Sequence, residues 1–332
     1  MKKKLLRIFA SVLCLCMLTT ACGGGTDDSG GGGDEGATKD TLTVAVGADM
    51  GDKDPINGIS TNDAAKIKSQ VYETLIERTM PDGEYQPLLA ESWEFNDDAT
   101  ELTITLREGI MCHNGEPLTS EDCLFSLRCL RESANASVTD HMDLDNSYAV
   151  DDRTFVIVMD QAYMPVIANL SFPFCAMFSQ KGYEEGNGDW ANMDIGTGPY
   201  TWKDWSIGTS VSLEGFDDYY VEGQPAIKNV EFKVIAEDGN RYIEVETGGA
   251  DMCYNLSGVD IPAAESNSDV VVFREYTTDN CYLSFNFREA PFDDVRVRQA
   301  IAYALDIDGA WEVCMDGVGQ PAVGVLPSNI PD

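Results

Sequence analysis

The chain has 332 residues, 43% of them hydrophobic, with 22 Lys and Arg against 57 Asp and Glu, a formal charge of −35. That content supplies cores for two modest domains, and the acidic balance excludes the basic stripe that nucleic-acid binding requires. The one local excess of cations is Lys2, Lys3, Lys4 and Arg7, so the rest of the exterior repels nucleic acid and anionic lipid alike.

After that basic start, Leu5 to Leu18 is a 14-residue apolar stretch carrying one charge, Arg7. It is shorter than the roughly 20 apolar residues that cross a bilayer and reads as a secretory signal. The stretch runs into Leu18-Thr19-Thr20-Ala21-Cys22 and then three glycines, which resembles the lipobox of bacterial lipoproteins, with Thr19 where Leu is usual. The resemblance implies that residues 1–22 are a lipoprotein signal and Cys22 the lipid attachment site. The protein is then exported and anchored at the outer face of the bacterial cell membrane, or periplasmic. Residues 23–39, rich in Gly, Asp, Glu, Ser and Thr, have nothing to bury and read as a flexible tether.

In chain order, Thr41 to Val46 alternates as a strand, and a polar loop, Asp49 to Pro55, follows it. Ala64, Ile67, Val71, Tyr72, Leu75 and Ile76 recur at helical spacing behind Asn62 and Asp63, which are placed to cap. Leu102, Ile104 and Leu106 predict a half-buried strand ending at Gly109. Thr119 to Arg131 predicts a helix with Thr119 as N-cap, acids in the first turn and Arg128 and Arg131 in the last. Further strands are expected at 155–159, 211–213, 230–235 and 270–273, with a short helix at 240–247 stopped by Gly248 and Gly249. Cys281 to Phe287 reads as a last strand. Phe292-Asp293-Asp294 opens a helix carrying Val297, Ala300, Ile301, Ala304 and Leu305 on one face.

Catalytic chemistry finds little support. His113 and His141 are the only histidines, neither lies in H-E-x-x-H, and no G-x-S-x-G elbow occurs. Cys112-His113 are neighbours in a loop and seldom would point at each other. Gly196-Thr197-Gly198-Pro199-Tyr200-Thr201 has Thr in place of the third glycine of a nucleotide loop and reads as a turn entering a strand. Asp143-x-Asp145-x-Ser147 has Tyr148 where a calcium loop needs glycine, and reads as a solvated acidic loop. Of ten cysteines, seven follow Cys22, an odd number with no C-x-x-C pair. A full disulfide framework and a zinc ribbon are therefore excluded; one or two disulfides stay open. No catalytic residue, metal or cofactor is assigned. Carboxylates are too numerous for counting to exclude a glycosidase.

Leu89 to Glu94, Leu102 to Arg107 with Gly109, Cys112 to Asp122, Ile195 to Tyr200, and Asn286-Phe287 through Pro291 to Ile301 stand in an order that resembles the signature of bacterial family 5 extracellular solute-binding proteins. The resemblance runs from Thr41 to the end. It implies an α/β fold of the periplasmic-binding-protein type (type II, cluster C) with two lobes. Residues 40–88 and 195–278 would form lobe I, 89–194 an inserted subdomain, and 279–332 the hinge crossing and an incomplete start of lobe II. On this resemblance the second lobe is mostly missing and the chain is expected to be C-terminally truncated.

The implied function is a monomeric substrate-binding lipoprotein that captures peptides or a similar small solute and delivers them to the permease subunits of an ABC importer. Nickel chelates, haem and oligosaccharides are other solutes the family takes. Met50, Asp52 and Asn57, after the first strand, and Tyr276, Thr277, Asn280, Tyr282 and Asn286, around the crossing, are the candidate ligand-binding residues; Trp202 and Trp205 read as packing. The alternatives are a lipid-anchored surface hydrolase and a solute sensor without transport.

Overall fold

The computed structural model describes residues 39–79, 83–274, 281–315, 318–319, 322 and 324. The strands are β1 (Thr41–Val46), β2 (Ile76–Arg78), β3 (Tyr85–Pro87), β4 (Ala90–Phe95), β5 (Glu101–Leu106), β6 (Tyr148–Ala149), β7 (Thr154–Val158), β8 (Tyr200–Ser206), β9 (Ser210–Gly215), β10 (Asn229–Val234) and β11 (Met252–Cys253). The helices are α1 (Asn62–Lys68), α2 (Ser120–Arg131), α3 (Val166–Asn169), α4 (Gln180–Glu185), α5 (Asp238–Glu246), α6 (Ile261–Ser266), α7 (Val295–Ala304) and α8 (Ile307–Met315).

Two main sheets organise them. The five-stranded sheet has the order β11-β1-β10-β9-β8, so the first strand pairs with one far along the chain, from Thr41 opposite Asn229 to Val46 opposite Val234. β1 is parallel to both β10 and β11. With neighbours on each side, its last three residues are buried, and the side chains of Val44, Val46, Val211, Leu213, Val230 and Phe232 form a core with Ile67 and Val71. Between β1 and β8 the chain builds an antiparallel sheet, β4-β5-β7-β6. Leu102, Ile104 and Leu106 alternate inward there and pack with Phe155, Ile157 and the α2 residues Leu124 and Leu127. The capping box at Thr119 and Asp122 fixes where α2 starts, a device worth about 1 kcal/mol.

Several expectations are corrected. α1 is capped by Thr61 and stops at Lys68, although Val71, Tyr72 and Leu75 remain buried. The backbone carbonyls that would extend it are taken elsewhere: Gly198 N–H donates to Val71 O (2.9 Å), Tyr200 N–H to Gln70 O (3.1 Å) and Ala90 N–H to Leu75 O (2.9 Å). Gly196 and Gly198 allow this approach, since a Cβ on either would run into the Val71 or Gln70 carbonyl. Residues 270–273 and 281–286 form no strand and are largely exposed; no neighbouring strand satisfies their backbone groups among the described residues. α7 forms as expected with Asp294 as N-cap, yet none of its residues is buried. Among the described residues no helix is long and apolar enough to cross a membrane.

Candidate ligand-facing site

In open α/β sheets, ligands bind at the carboxyl ends of the parallel strands. Here those ends belong to β1, β10 and β11, and the loops leaving them are fastened to one another. The buried Arg241 guanidinium donates to the carbonyls of Ile235 (2.8 Å), Ala236 (3.2 Å), Tyr254 (3.1 Å) and Asn255 (2.9 Å), joining the exits of β10 and β11. Gly47 and Ala48, just past β1, donate their N–H groups to the Asp63 carboxylate in the first turn of α1 (2.9 and 3.1 Å). Asp49 accepts from the Trp205 indole (3.0 Å) and from Gly208 N–H, which ties the same loop to the β8–β9 hairpin.

Met50 is fully buried in the core of the five-stranded sheet. Asp52 is 56% exposed and pairs with the buried Lys68 (2.7 Å). Burial lowers the Lys68 pKa, and the hydrogen bond and charge of Asp52 oppose it. Asn57 is exposed; its amide donates to Asp54 (3.1 Å) and its oxygen accepts from Ala134 N–H (3.0 Å) beyond α2. Asn135 returns the contact by donating to Ile56 O (2.6 Å). The structure therefore brings Asp52 and Asn57 onto one loop with Met50 beneath it. Tyr282 and Asn286 are exposed and apart from either core. Cys22, Tyr276, Thr277 and Asn280 lie outside the described residues.

Trp202 and Trp205 pack against the core, as expected. His113 is a structural joint: its ring nitrogens meet Asp194 Oδ1 (2.7 Å) and Gly198 O (2.9 Å), so it does not activate Cys112. Burial pushes the Cys112, Cys123 and Cys175 thiols up, and that of Cys129 to about 11. Six cysteines are free thiols among the described residues, and no group of three or more His, Cys, Asp or Glu there is placed to hold a metal.

Sequence reasoning missed Asp49, Lys68, Glu73 and Arg241. Lys68 stood four residues after Ala64 on the apolar face of α1, and a cation in that position was the available signal. Glu73 is buried in the segment that runs from Tyr72, in the core of the five-stranded sheet, to Leu75, in the core of the other main sheet. Its Oε1 accepts from the hydroxyls of Tyr219 (2.7 Å) and Tyr220 (3.1 Å), and Oε2 meets no hydrogen-bond partner among the described residues. Burial pushes its pKa up to about 7, with the two tyrosines pulling the other way.

Residues 84–332 match the profile of the bacterial extracellular solute-binding proteins, family 5 Middle. The glutathione-binding protein GsiB of Escherichia coli (strain K12) is 28% identical over 303 residues, covering 89% of this chain and 57% of GsiB. A dipeptide-binding protein from Pseudoalteromonas sp. SM9913, solved in complex with Met-Leu, superimposes with a TM-score of 0.78 at 21% identity, over 87% of this chain and 61% of its own. NikZ from Campylobacter jejuni, solved with Ni(L-His), gives 0.71 at 20% identity, over 83% and 55%. The chain thus spans little more than half the length of the relatives it matches, and its fold is the type II periplasmic-binding-protein α/β fold. With its family profile covering most of the residues that make up the two sheets, this chain belongs to the family 5 solute-binding proteins.

Proposed function

We propose that the chain is the capture component of an ABC importer, binding peptides or a similar small solute and handing it to a permease, and held at the membrane by a lipid on Cys22. In this reading residues 40–88 and 195–278 form lobe I, 89–194 the inserted subdomain and 279–332 the crossing into lobe II. The supporting observation is the loop after β1. It leaves the carboxyl end of a strand flanked by two parallel neighbours and presents Asp52 and Asn57 to solvent in a chain of this family. Tyr276, Thr277, Asn280, Tyr282 and Asn286 complete the proposed set from the crossing side. A solute favours lobe closure only by contacting both lobes at once, because a population shift requires differential affinity. Extended peptides are suited to this, since their backbone groups offer the same hydrogen bonds whatever their side chains.

Calorimetric titration of the protein with reduced glutathione and with Met-Leu tests the reading, together with mass spectrometry of solute retained on purification. Saturable one-to-one binding of a peptide, without its cleavage, is expected. Cleavage of the added peptide, or a protein that retains nothing and binds neither probe, overturns it.

A further inference from the structure

A lysine ammonium has three protons to place, and buried away from water each one needs an acceptor. Lys68, the last residue of α1, has a side chain only 1% exposed. Its Nζ donates to Asp52 Oδ1 (2.7 Å), Asp54 O (2.8 Å) and Gly58 O (2.8 Å). All three acceptors belong to one seven-residue stretch, 52–58, which wraps the ammonium as it would a small cation.

The rest of the loop is arranged around that charge. Asp52 Oδ1 also accepts from Asp54 N–H (2.9 Å), and Asp54 Oδ1 accepts from the N–H groups of Ile56 (2.8 Å) and Asn57 (3.0 Å). A Cβ on Gly58 would run into Asp52 Oδ1 and Lys68 Nζ, so the approach of the ammonium requires glycine at this position. The nearby cations are engaged elsewhere: Lys66 pairs with Asp63 (2.9 Å), and Lys53 sits 5.6 Å from the centre of the Trp202 ring. Outward, Asn57 and Asn135 bind the loop to the turn beyond α2.

We infer that Lys68 is a positioning residue, an internal counter-cation that holds loop 52–58 in the shape it offers to a ligand and acts on that ligand only through Asp52 and Asn57. The ligand part of this inference rests on the receptor reading; the ordering of the loop does not. Replacing the lysine by the neutral, similarly long Met leaves Asp52 Oδ1 with Asp54 N–H and Asp54 O with Gly58 N–H (3.1 Å), but it takes the ammonium from the Gly58 carbonyl and the counter-charge from Asp52, so the loop must open toward water to solvate them.

Hydrogen exchange read by mass spectrometry, paired with glutathione titration on the full chain, separates the two parts. In Lys68→Met the amides of Ile56, Asn57, Gly58 and Ala134 are expected to lose at least tenfold in protection while those of β1 and β10 keep theirs, and glutathione affinity to fall at least tenfold. Gly58→Ala keeps both charges and blocks their approach, so it carries the same expectation should Lys68→Met not fold. Unchanged protection in the loop, a uniform loss that includes the sheet, or a loosened loop with unaltered glutathione affinity each overturns the inference. A wild-type protein that retains no solute and binds neither glutathione nor Met-Leu refutes the receptor reading instead, and exchange alone then decides whether Lys68 orders the loop.

Discussion

The helices α2 and α7 are built from similar local instructions and finish in opposite surroundings. Each opens on an N-cap side chain, Thr119 or Asp294, and each carries an apolar stripe. α2 buries Cys123, Leu124, Leu127 and Leu130, whereas α7 buries nothing. The strands expected at 270–273 and 281–287 are absent, yet α7 is present. A helix satisfies its backbone within its own segment and needs a partner only for its apolar face, while a strand needs a partner for every hydrogen bond it makes. Local signals are therefore enough to write α7 and not enough to write its neighbouring strands.

The largest expected effect tests that contrast directly. Phe155, fully buried in the core that receives α2, should cost about 3–5 kcal/mol when changed to Ala, read as a lowered urea midpoint. Ile301→Ala, on α7, which buries no residue among the described ones, should leave the midpoint where it is, because the removed methyl groups leave no cavity behind them. Equal losses would mean that α7 is packed in solution and that the contrast is false.

The segment that runs between the two cores gives a pH-dependent effect of similar or smaller size. Glu73 titrates at about 7 when folded and at its ordinary 4.5 when not, so the folded state holds the proton more tightly. Its contribution is most favourable below pH 4.5, declines as pH rises from 4.5 to about 7, and stays at its least favourable above that. Glu73→Gln keeps an acceptor for Tyr219 and Tyr220 without a charge to bury. It should flatten the stability profile over that window and exceed the wild type at pH 8 by an amount on the order of 3 kcal/mol. Thermal unfolding across pH 4 to 8 reads it, and a profile shared by both proteins would place the proton elsewhere.

Much of this architecture was legible in the residues because its signals are local. The alternation at 41–46 and 102–106 and the capped run from Thr119 to Arg131 each specify one element without reference to the remainder of the chain. The early end of α1 was not legible, because the carbonyls of Gln70 and Val71 accept from Tyr200 N–H and Gly198 N–H respectively, a pairing that no window around residue 70 contains. The candidate site divides in the same way. A polar loop after β1 could be read, and Asp52 and Asn57 could be named within it. That Met50 turns inward, and that Lys68 collects the loop's acceptors, depends on three-dimensional closure. Counting only apolar residues at helical spacing passed over the one cation on that face.

The smallest effect compares the two caps themselves. Thr119 Oγ1 accepts from Asp122 N–H (3.3 Å), and Asp122 in return accepts from Thr119 N–H (2.9 Å) and from Gln180 N–H (2.7 Å) at the start of α4. Thr119→Ala removes one side of this arrangement in a helix whose unfolding exposes a core, so about 1–2 kcal/mol of global stability should go with it. Asp294 also caps with its side chain, accepting from Arg296 N–H (2.9 Å), two residues on rather than three, but α7 can unwind without exposing a core. Asp294→Ala should therefore lower helical content while leaving the urea midpoint unchanged, as read by far-ultraviolet dichroism alongside tryptophan fluorescence. The same cap chemistry then registers as global stability in one region and as local order alone in the other; a midpoint shift in Asp294→Ala matching that of Thr119→Ala would show that packing does not distinguish them.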